Sequence, residues 1–261
     1  MKKFKSIATK LGIGLGAAVV AVGLFLLFNK AVEKNEELLC TALTINIDDN
    51  NGNYFVTESN IIETIISTRN DTLVGSKIAS IDFDFIEHKI EENDFISSAE
   101  IFANTRGEVT INVVNKRPIL RIINKHGVSF YIDADGTKLP LNSNFTSRVS
   151  VCTGNVESIG SGESETVDQG IIEIAKFLDK NEFWFAQIEQ IFVADNGEIY
   201  LSPKVGSHKI LLGDSKGLEE KMARLKTFYV EGLNQVGWGQ YEVLNLKYKD
   251  QVVCKKKNTE V

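Results

Sequence analysis

The stretch SAEIFANTRGEVTINVV, residues 98–114, decides the fold of the first half of the chain. Its two arms, 98–103 and 108–114, carry apolar side chains at every second position, which is the period of a half-buried β-strand. Between the arms, Asn104–Gly107 supplies the polar and glycine residues that turns need. The stretch therefore predicts two adjacent strands joined by a short turn.

Three further elements precede these two strands. LTINI (43–47) alternates like a strand, and Thr57 and Asp82 can cap the first turns of two helices. Apolar residues at helical spacing follow each cap: Ile61, Ile62, Ile65 and Ile66 after the first, and Phe83, Ile86 and Ile90 after the second. The order strand, helix, helix, strand, strand predicts a small α+β unit, residues 41–117, with both helices on one face of a sheet.

The pattern changes at Arg117-Pro118, because proline cannot donate to a central ladder and marks an edge or a junction. Strand-like segments dominate the chain beyond it, and two helices are predicted at about 166–180 and 215–231. This second unit, residues 118–257, is predicted to be a mainly antiparallel sheet backed by two helices. The fold class of the whole chain is therefore α+β.

The N-terminal 40 residues predict a membrane anchor. Residues 11–28 contain no charge and would span about 27 Å as a helix, enough for a bilayer core. The lysines of the tail, residues 1–10, place the N-terminus in the cytoplasm and the body of the chain outside it, with residues 29–40 as a linker. A cleaved signal peptide is the alternative, although its apolar region would be shorter and would end in a small-x-small site. Gly12 and Gly16 could pack against another membrane helix, or the anchor could simply face lipid.

The distribution of charge argues against a nucleic-acid partner. The formal net charge is −6, and residues 1–30 hold five of the 29 basic residues but none of the 35 acidic ones. The body of the chain is therefore strongly acidic and would repel a phosphate backbone.

No motif for catalysis or cofactor binding is present in the sequence. It lacks SxxK, HExxH, GxSxG, CxxC and any Gly-Lys pair, and its three distant cysteines show neither a metal spacing nor a disulfide framework. His88, His126 and His208 are scattered, and we predict surface or capping roles for them. Residues 131–137, YIDADGT, resemble the start of a calcium loop, but an Asp-Gly turn between strands explains them more simply. We expect no enzyme, no cofactor and no metal site.

The chain nearly ends on YEVLNLKYKDQVVCKKK, residues 241–257. Its alternating apolar residues predict a strand, and Asp250-Gln251 predicts a bend after it. A second short apolar run and three lysines follow, so we expect the chain to finish in a basic stop at the rim of a sheet. The predicted partner-binding residues on this rim are Val243, Leu244, Leu246, Lys247, Tyr248, Val252 and Val253. The alternative is that Leu244, Leu246 and Tyr248 face the helices of their own domain.

This organisation resembles the FtsQ/DivIB family of bitopic cell-division proteins, and the small unit looks like a POTRA domain. The resemblance rests on the strand-helix-helix-strand-strand order behind one membrane helix and on short motifs. These motifs are VVNKRP (113–118), FYID (130–133), Asp133–Gly136, VSVCTG (149–154), Leu212-Gly213 before a helix containing Lys221, and VLNLKY (243–248). The usual glutamate before the proline, the aspartate and arginine of the last strand, and a proline near residue 150 are missing.

The resemblance implies a non-catalytic scaffold that links early and late division proteins. It implies FtsB/FtsL-like coiled-coil partners, one of which adds a strand beside the C-terminal strand. It also implies a single-pass protein of the inner membrane, with most of the chain in the periplasm and enrichment at the division septum. The alternatives are another POTRA-bearing envelope protein that handles or exports polypeptides, and a membrane-tethered cell-wall enzyme.

Overall fold

A computed structural model describes residues 37–49, 52–143, 145–156 and 167–257, together with Val22 and Phe25. The described residues form two compact units. Among the described residues, unit 1 contains 37–49 and 56–115, and unit 2 contains 52–55 and the described residues from Lys116 to Lys257. The sequence placed residues 52–55 in the first unit, whereas the structure assigns them to the second.

Unit 1 has the predicted order of elements. These are β1 (Ala42–Asp48), α1 (Glu58–Arg69), a 3-10 turn (Ile78–Ser80), α2 (Phe83–Glu91), β2 (Ile96–Ala103) and β3 (Glu108–Asn115). The sheet order is β1-β3-β2, with β1 parallel and β2 antiparallel to the central β3. The prediction of a small α+β unit is confirmed.

Both helices of unit 1 begin where the sequence predicted. The Thr57 hydroxyl accepts a hydrogen bond from the Asn60 amide, and the Asp82 carboxylate accepts one from the Phe85 amide. These caps satisfy backbone donors that have no partner inside the helix. Ile61 and Ile65 are buried, but Ile62 and Ile66 are 36% and 42% exposed, so the predicted apolar stripe of α1 is too wide.

Unit 2 is built on a nine-stranded sheet. Its elements are β4 (Pro118–Asn124), β5 (Ser129–Asp133), β6 (Lys138–Leu139), β7 (Ser150–Gly154), α3 (Gln169–Lys180), α4 (Glu182–Gln187), β8 (Ile188–Val193), β9 (Ile199–Pro203), β10 (Lys209–Gly213), α5 (Leu218–Thr227), a π-helical segment (Phe228–Leu233), α6 (Asn234–Val236), β11 (Tyr241–Asn245) and β12 (Val253–Lys256). The strand order is β12-β11-β10-β9-β8-β7-β4-β5-β6. Five of its eight neighbouring pairs are antiparallel within the described chain, as predicted for a mainly antiparallel sheet.

One row of core side chains crosses eight strands of this sheet. Direct cross-strand partners place it, in order, at Phe130, Ile122, Cys152, Ile191, Leu201, Ile210, Leu244 and Cys254. The first seven are buried, and the row belongs to the core that also contains apolar residues of α3 and α5. The burial of Cys152 raises the pKa of its thiol to about 12.

The helices of unit 2 differ from the predicted ones in two details. The second predicted helix, 215–231, begins at Leu218 and changes to π-helical geometry at Phe228. A further short helix, α4, follows the first predicted helix; in it Trp184 is buried and Phe183 is 39% exposed. The Asp-Gly turn is confirmed, because the Asp133 carboxylate accepts hydrogen bonds from the amides of Asp135 and Thr137.

Among the helices that the structure describes, none has the length and apolar character required to cross a bilayer. The predicted membrane segment, residues 11–28, lies outside the described residues except for Val22 and Phe25. The predicted packing pair Gly12 and Gly16 also lies outside them.

Candidate functional site at the terminal edge of the large sheet

The last hairpin of the chain forms one margin of the nine-stranded sheet. β11 pairs with β10 in parallel and with β12 in antiparallel orientation, so β12 is the outermost strand of the described sheet. The turn between them contains Asp250 with a positive φ of 60°, which confirms the predicted bend. An outermost strand exposes backbone donors and acceptors along one side.

The structure corrects the predicted position of the rim. Val243 lies between Lys209 and Lys255, and Leu244 lies between Ile210 and Cys254. Both residues are therefore paired on both sides by their own chain and do not offer an open edge. The prediction counted Val243 and Leu244 among the rim residues together with Val252 and Val253, whereas β12 covers the strand that contains Val243 and Leu244.

Leu246 is also not available at an edge. Its side chain is fully buried, and its amide donates to the carbonyl of Leu211 at 2.9 Å. The Arg224 guanidinium donates to the carbonyl of Leu246 at 3.3 Å and to that of Tyr248 at 3.4 Å. Leu244 and Leu246 therefore face the core of their own domain, as the alternative interpretation held.

The side chain of Lys247 contacts two residues of its own domain, Gly213 and Glu198. Its aliphatic stem lies against Gly213, and its ammonium group donates to Glu198 Oε1 at 2.5 Å. This hydrogen bond raises the pKa of Lys247 and lowers that of Glu198. The side chain of Lys247 thus connects the end of β11 to the β8–β9 turn by a hydrogen bond.

Tyr248, Val252 and Val253 remain near the margin. Tyr248 is 52% exposed in the turn, Val252 is half-buried against the core, and Val253 is 42% exposed at the start of β12. Their role in partner binding is untested and stays a prediction.

Three residues that follow on the outermost strand, Cys254, Lys255 and Lys256, were predicted as part of the second apolar run and basic stop at the rim but not as partner-binding residues. Cys254 continues the core row but is only half-buried, and this partial burial raises the pKa of its thiol. Lys255 Nζ lies 2.8 Å from Glu242 Oε2 on β11, a contact that lowers the pKa of Glu242. The basic ending VVCKKK was the available signal for a lysine-flanked edge.

The backbone of β12 has a definite orientation. The amide of Lys257 donates to the carbonyl of Gln240, on the β11 side. Because amides alternate between the two sides of a strand, those of Cys254 and Lys256 point away from β11. These two amides are the donors that an added strand would use.

Elsewhere, unit 2 contains a cavity of about 590 Å³ lined by Arg117, Arg148, Asp179 and neighbouring residues. Arg117 and Asp179 form a bidentate ion pair there, with Nη1–Oδ1 at 2.7 Å.

Within the described residues, no group of three or more His, Cys, Asp or Glu side chains is placed to hold a metal ion.

Comparison with models of known protein families finds a match for each of the two units. A model of the FtsQ/DivIB, C-terminal related domain matches residues 117–255, and a model of the POTRA-like domain matches residues 38–114. The first match alone covers more than half of the chain. The chain belongs to the FtsQ/DivIB family. The curated proteins contain no match to it. FtsQ/DivIB proteins are generally non-catalytic, and the two domains suggest a cell-division scaffold.

Proposed function

We propose that this FtsQ/DivIB protein is a membrane-anchored, non-catalytic scaffold that links early and late proteins of the division machinery. The two matched domains support a division scaffold. The apolar segment 11–28 would anchor the chain in the inner membrane, with units 1 and 2 in the periplasm and the protein enriched at the septum.

Docking occurs by addition of a partner strand to β12. The observation that carries this proposal is the incomplete core row: seven members are buried, and Cys254 at the margin is only half-buried. A strand added beside β12 would place an apolar side chain next to Cys254 and complete the row. Its backbone would also pair with the amides of Cys254 and Lys256.

The side chains around the edge give the docking its selectivity. Val253 and Tyr248 offer exposed apolar surface, and Lys249, Lys255 and Lys256 surround it with positive charge. Lysines also discourage pairing between two copies of the same edge, because like charges would face each other. The proposed partner is an FtsB/FtsL-like coiled-coil division protein that contributes an extended segment.

Site-specific photocrosslinking in dividing cells tests this function. A photoreactive residue replaces Val253 in the full chain, and a matched control replaces Val128, an exposed valine in the β4–β5 turn. We expect Val253 to capture a small coiled-coil division protein at mid-cell and Val128 not to capture it. Equal capture from both positions, or a uniform envelope distribution of the chain, would contradict the proposal.

A further inference from the structure

The outer edge of β2 in unit 1 is occupied by side chains of the chain itself. β2 pairs with β3 along one side and is the last strand of its sheet. The amide of Ala99 donates to Glu91 Oε1 at 2.9 Å, and the amide of Ile101 donates to Glu87 Oε1 at 2.5 Å. Both carboxylates come from α2.

The geometry of α2 explains why two glutamates reach two successive outward amides. Glu87 and Glu91 are four residues apart on the helix, which corresponds to a rise of about 6 Å. Ala99 and Ile101 are two residues apart on the strand, which corresponds to about 6.6 Å. The two repeats nearly match, so a helix alongside the strand brings one carboxylate to each amide.

The core holds this alignment in place. Ile86 and Ile90, each directly preceding one of the glutamates, are buried, as are the side chains of Ala99 and Ile101. The glutamates therefore lie where the buried stripe of α2 borders the margin of the sheet. Hydrogen bonds from amides to ionised acceptors are stronger than those to neutral ones.

We infer that Glu87 and Glu91 close the β2 edge of unit 1 against strand addition. An extended polypeptide could pair along β2 only after displacing both carboxylates from the amides of Ala99 and Ile101. This inference does not depend on the function proposed for β12. It argues against polypeptide capture along the β2 edge of unit 1.

The test uses the full chain in detergent and the double variant E87A/E91A. Alanine favours helix, so the substitutions remove the carboxylates without weakening α2 through helix propensity. The control E63A/E173A removes two exposed glutamates from α1 and α3 and changes the net charge equally. The variant E87Q/E91Q keeps an acceptor oxygen at both positions. The amide of Ile111, on the central strand β3, reports whether unit 1 remains folded.

Hydrogen exchange is the first measurement. We expect the amides of Ala99 and Ile101 to exchange about tenfold faster in E87A/E91A than in the parent chain, the effect of losing a hydrogen bond to a charged acceptor. Exchange at Ile111 should stay unchanged in all variants, and E87Q/E91Q should recover most of the protection. Unchanged exchange at Ala99 and Ile101 in E87A/E91A would overturn the inference.

Strand addition is the second measurement. The probe is a fluorescent peptide with the sequence of β2, ISSAEIFA, because a second copy of an edge strand can pair with it in antiparallel orientation. We expect the peptide to bind E87A/E91A but neither the parent chain nor E63A/E173A. Binding of equal strength to the parent chain, or none to a folded E87A/E91A, would show that the carboxylates do not close the edge.

Discussion

Lys221 Nζ lies 2.8 Å from Asp214 Oδ1, and the same ammonium group donates to the carbonyls of Leu212 and Asp214 at 3.1 and 3.0 Å. All three donors of this buried lysine are therefore used at the junction of β10 and α5. The hydrogen bond to Lys221 lowers the pKa of Asp214. This junction sets the direction of the helix that supports the terminal hairpin through Arg224.

Replacing Lys221 should destabilise unit 2. Lys221→Met keeps most of the apolar stem but leaves the two carbonyls without their donor, a loss of about 2–3 kcal/mol. Urea denaturation measures the free energy of unfolding. Lys216→Met, an exposed lysine of the same turn, is the matched control and should have little effect. Equal stability of the two variants would contradict the structural role of Lys221.

Gly213→Ala should also destabilise the margin of the sheet. Gly213 has a φ of +83°, and an added Cβ would lie 2.8 Å from Lys247 Cγ. The substitution combines backbone strain with displacement of the Lys247 stem, and we expect a loss of about 2 kcal/mol. Gly197→Ala is the control, because Gly197 has a similar φ of +81° but no atom within 4 Å of the added Cβ. Thermal unfolding should show a larger decrease in Tm for Gly213→Ala than for Gly197→Ala.

The stability of unit 2 should fall on mild acidification because of His208. Its ring is buried, Nε2 lies 2.8 Å from the Tyr229 hydroxyl, and burial, assisted by the charge of Lys257, lowers its pKa. The unfolded chain therefore binds a proton at His208 more readily than the folded chain does. The contribution of His208 to the free energy of unfolding is complete above the ordinary histidine pKa of about 6.5, and it is lost as the pH falls through the lower pKa of the folded state.

Urea denaturation between pH 7.5 and 5 tests this dependence. The variant His208→Gln keeps a polar side chain beside Tyr229 but cannot titrate, and it should lose less stability over this range than the parent chain. His126→Gln removes an exposed histidine and should follow the parent chain. If His208→Gln shows the same pH dependence as the parent chain, His208 is not the group responsible.

Proline on β12 should weaken docking without unfolding the hairpin. The amide of Lys256 points away from β11, so Lys256→Pro removes a donor that only a partner strand would use. We expect partner capture to fall about tenfold, from one lost ladder bond and the bulk of the ring. Lys256→Ala, which keeps the amide and removes the charge, should bind more tightly than the proline variant. Equal affinity of the two variants would place docking elsewhere.

Local signals in the sequence were sufficient to predict much of the fold. The caps at Thr57 and Asp82 and the order of elements in unit 1 are confirmed, because they depend on neighbouring residues. The terminal rim was misplaced because an apolar residue such as Leu246 looks the same whether it faces a partner or its own core. His208 was predicted to have a surface or capping role but is buried beside Tyr229, a residue 21 positions away in the sequence.

The closing of the β2 edge could not be predicted from the sequence either. Glu87 and Glu91 have the spacing of an ordinary solvated helix face, and only the packing of α2 along β2 shows which amides they reach. Similarly, the half-buried state of Cys254 depends on cross-strand register, which composition and periodicity do not determine.

Amide hydrogen exchange of the full chain, with and without its captured division partner, tests docking at β12 most directly. We expect the partner to slow exchange at Cys254 and Lys256 and to leave Leu244, already paired on both sides, unchanged. Protection confined to other surfaces, with Cys254 and Lys256 exchanging as in the free chain, would contradict the account.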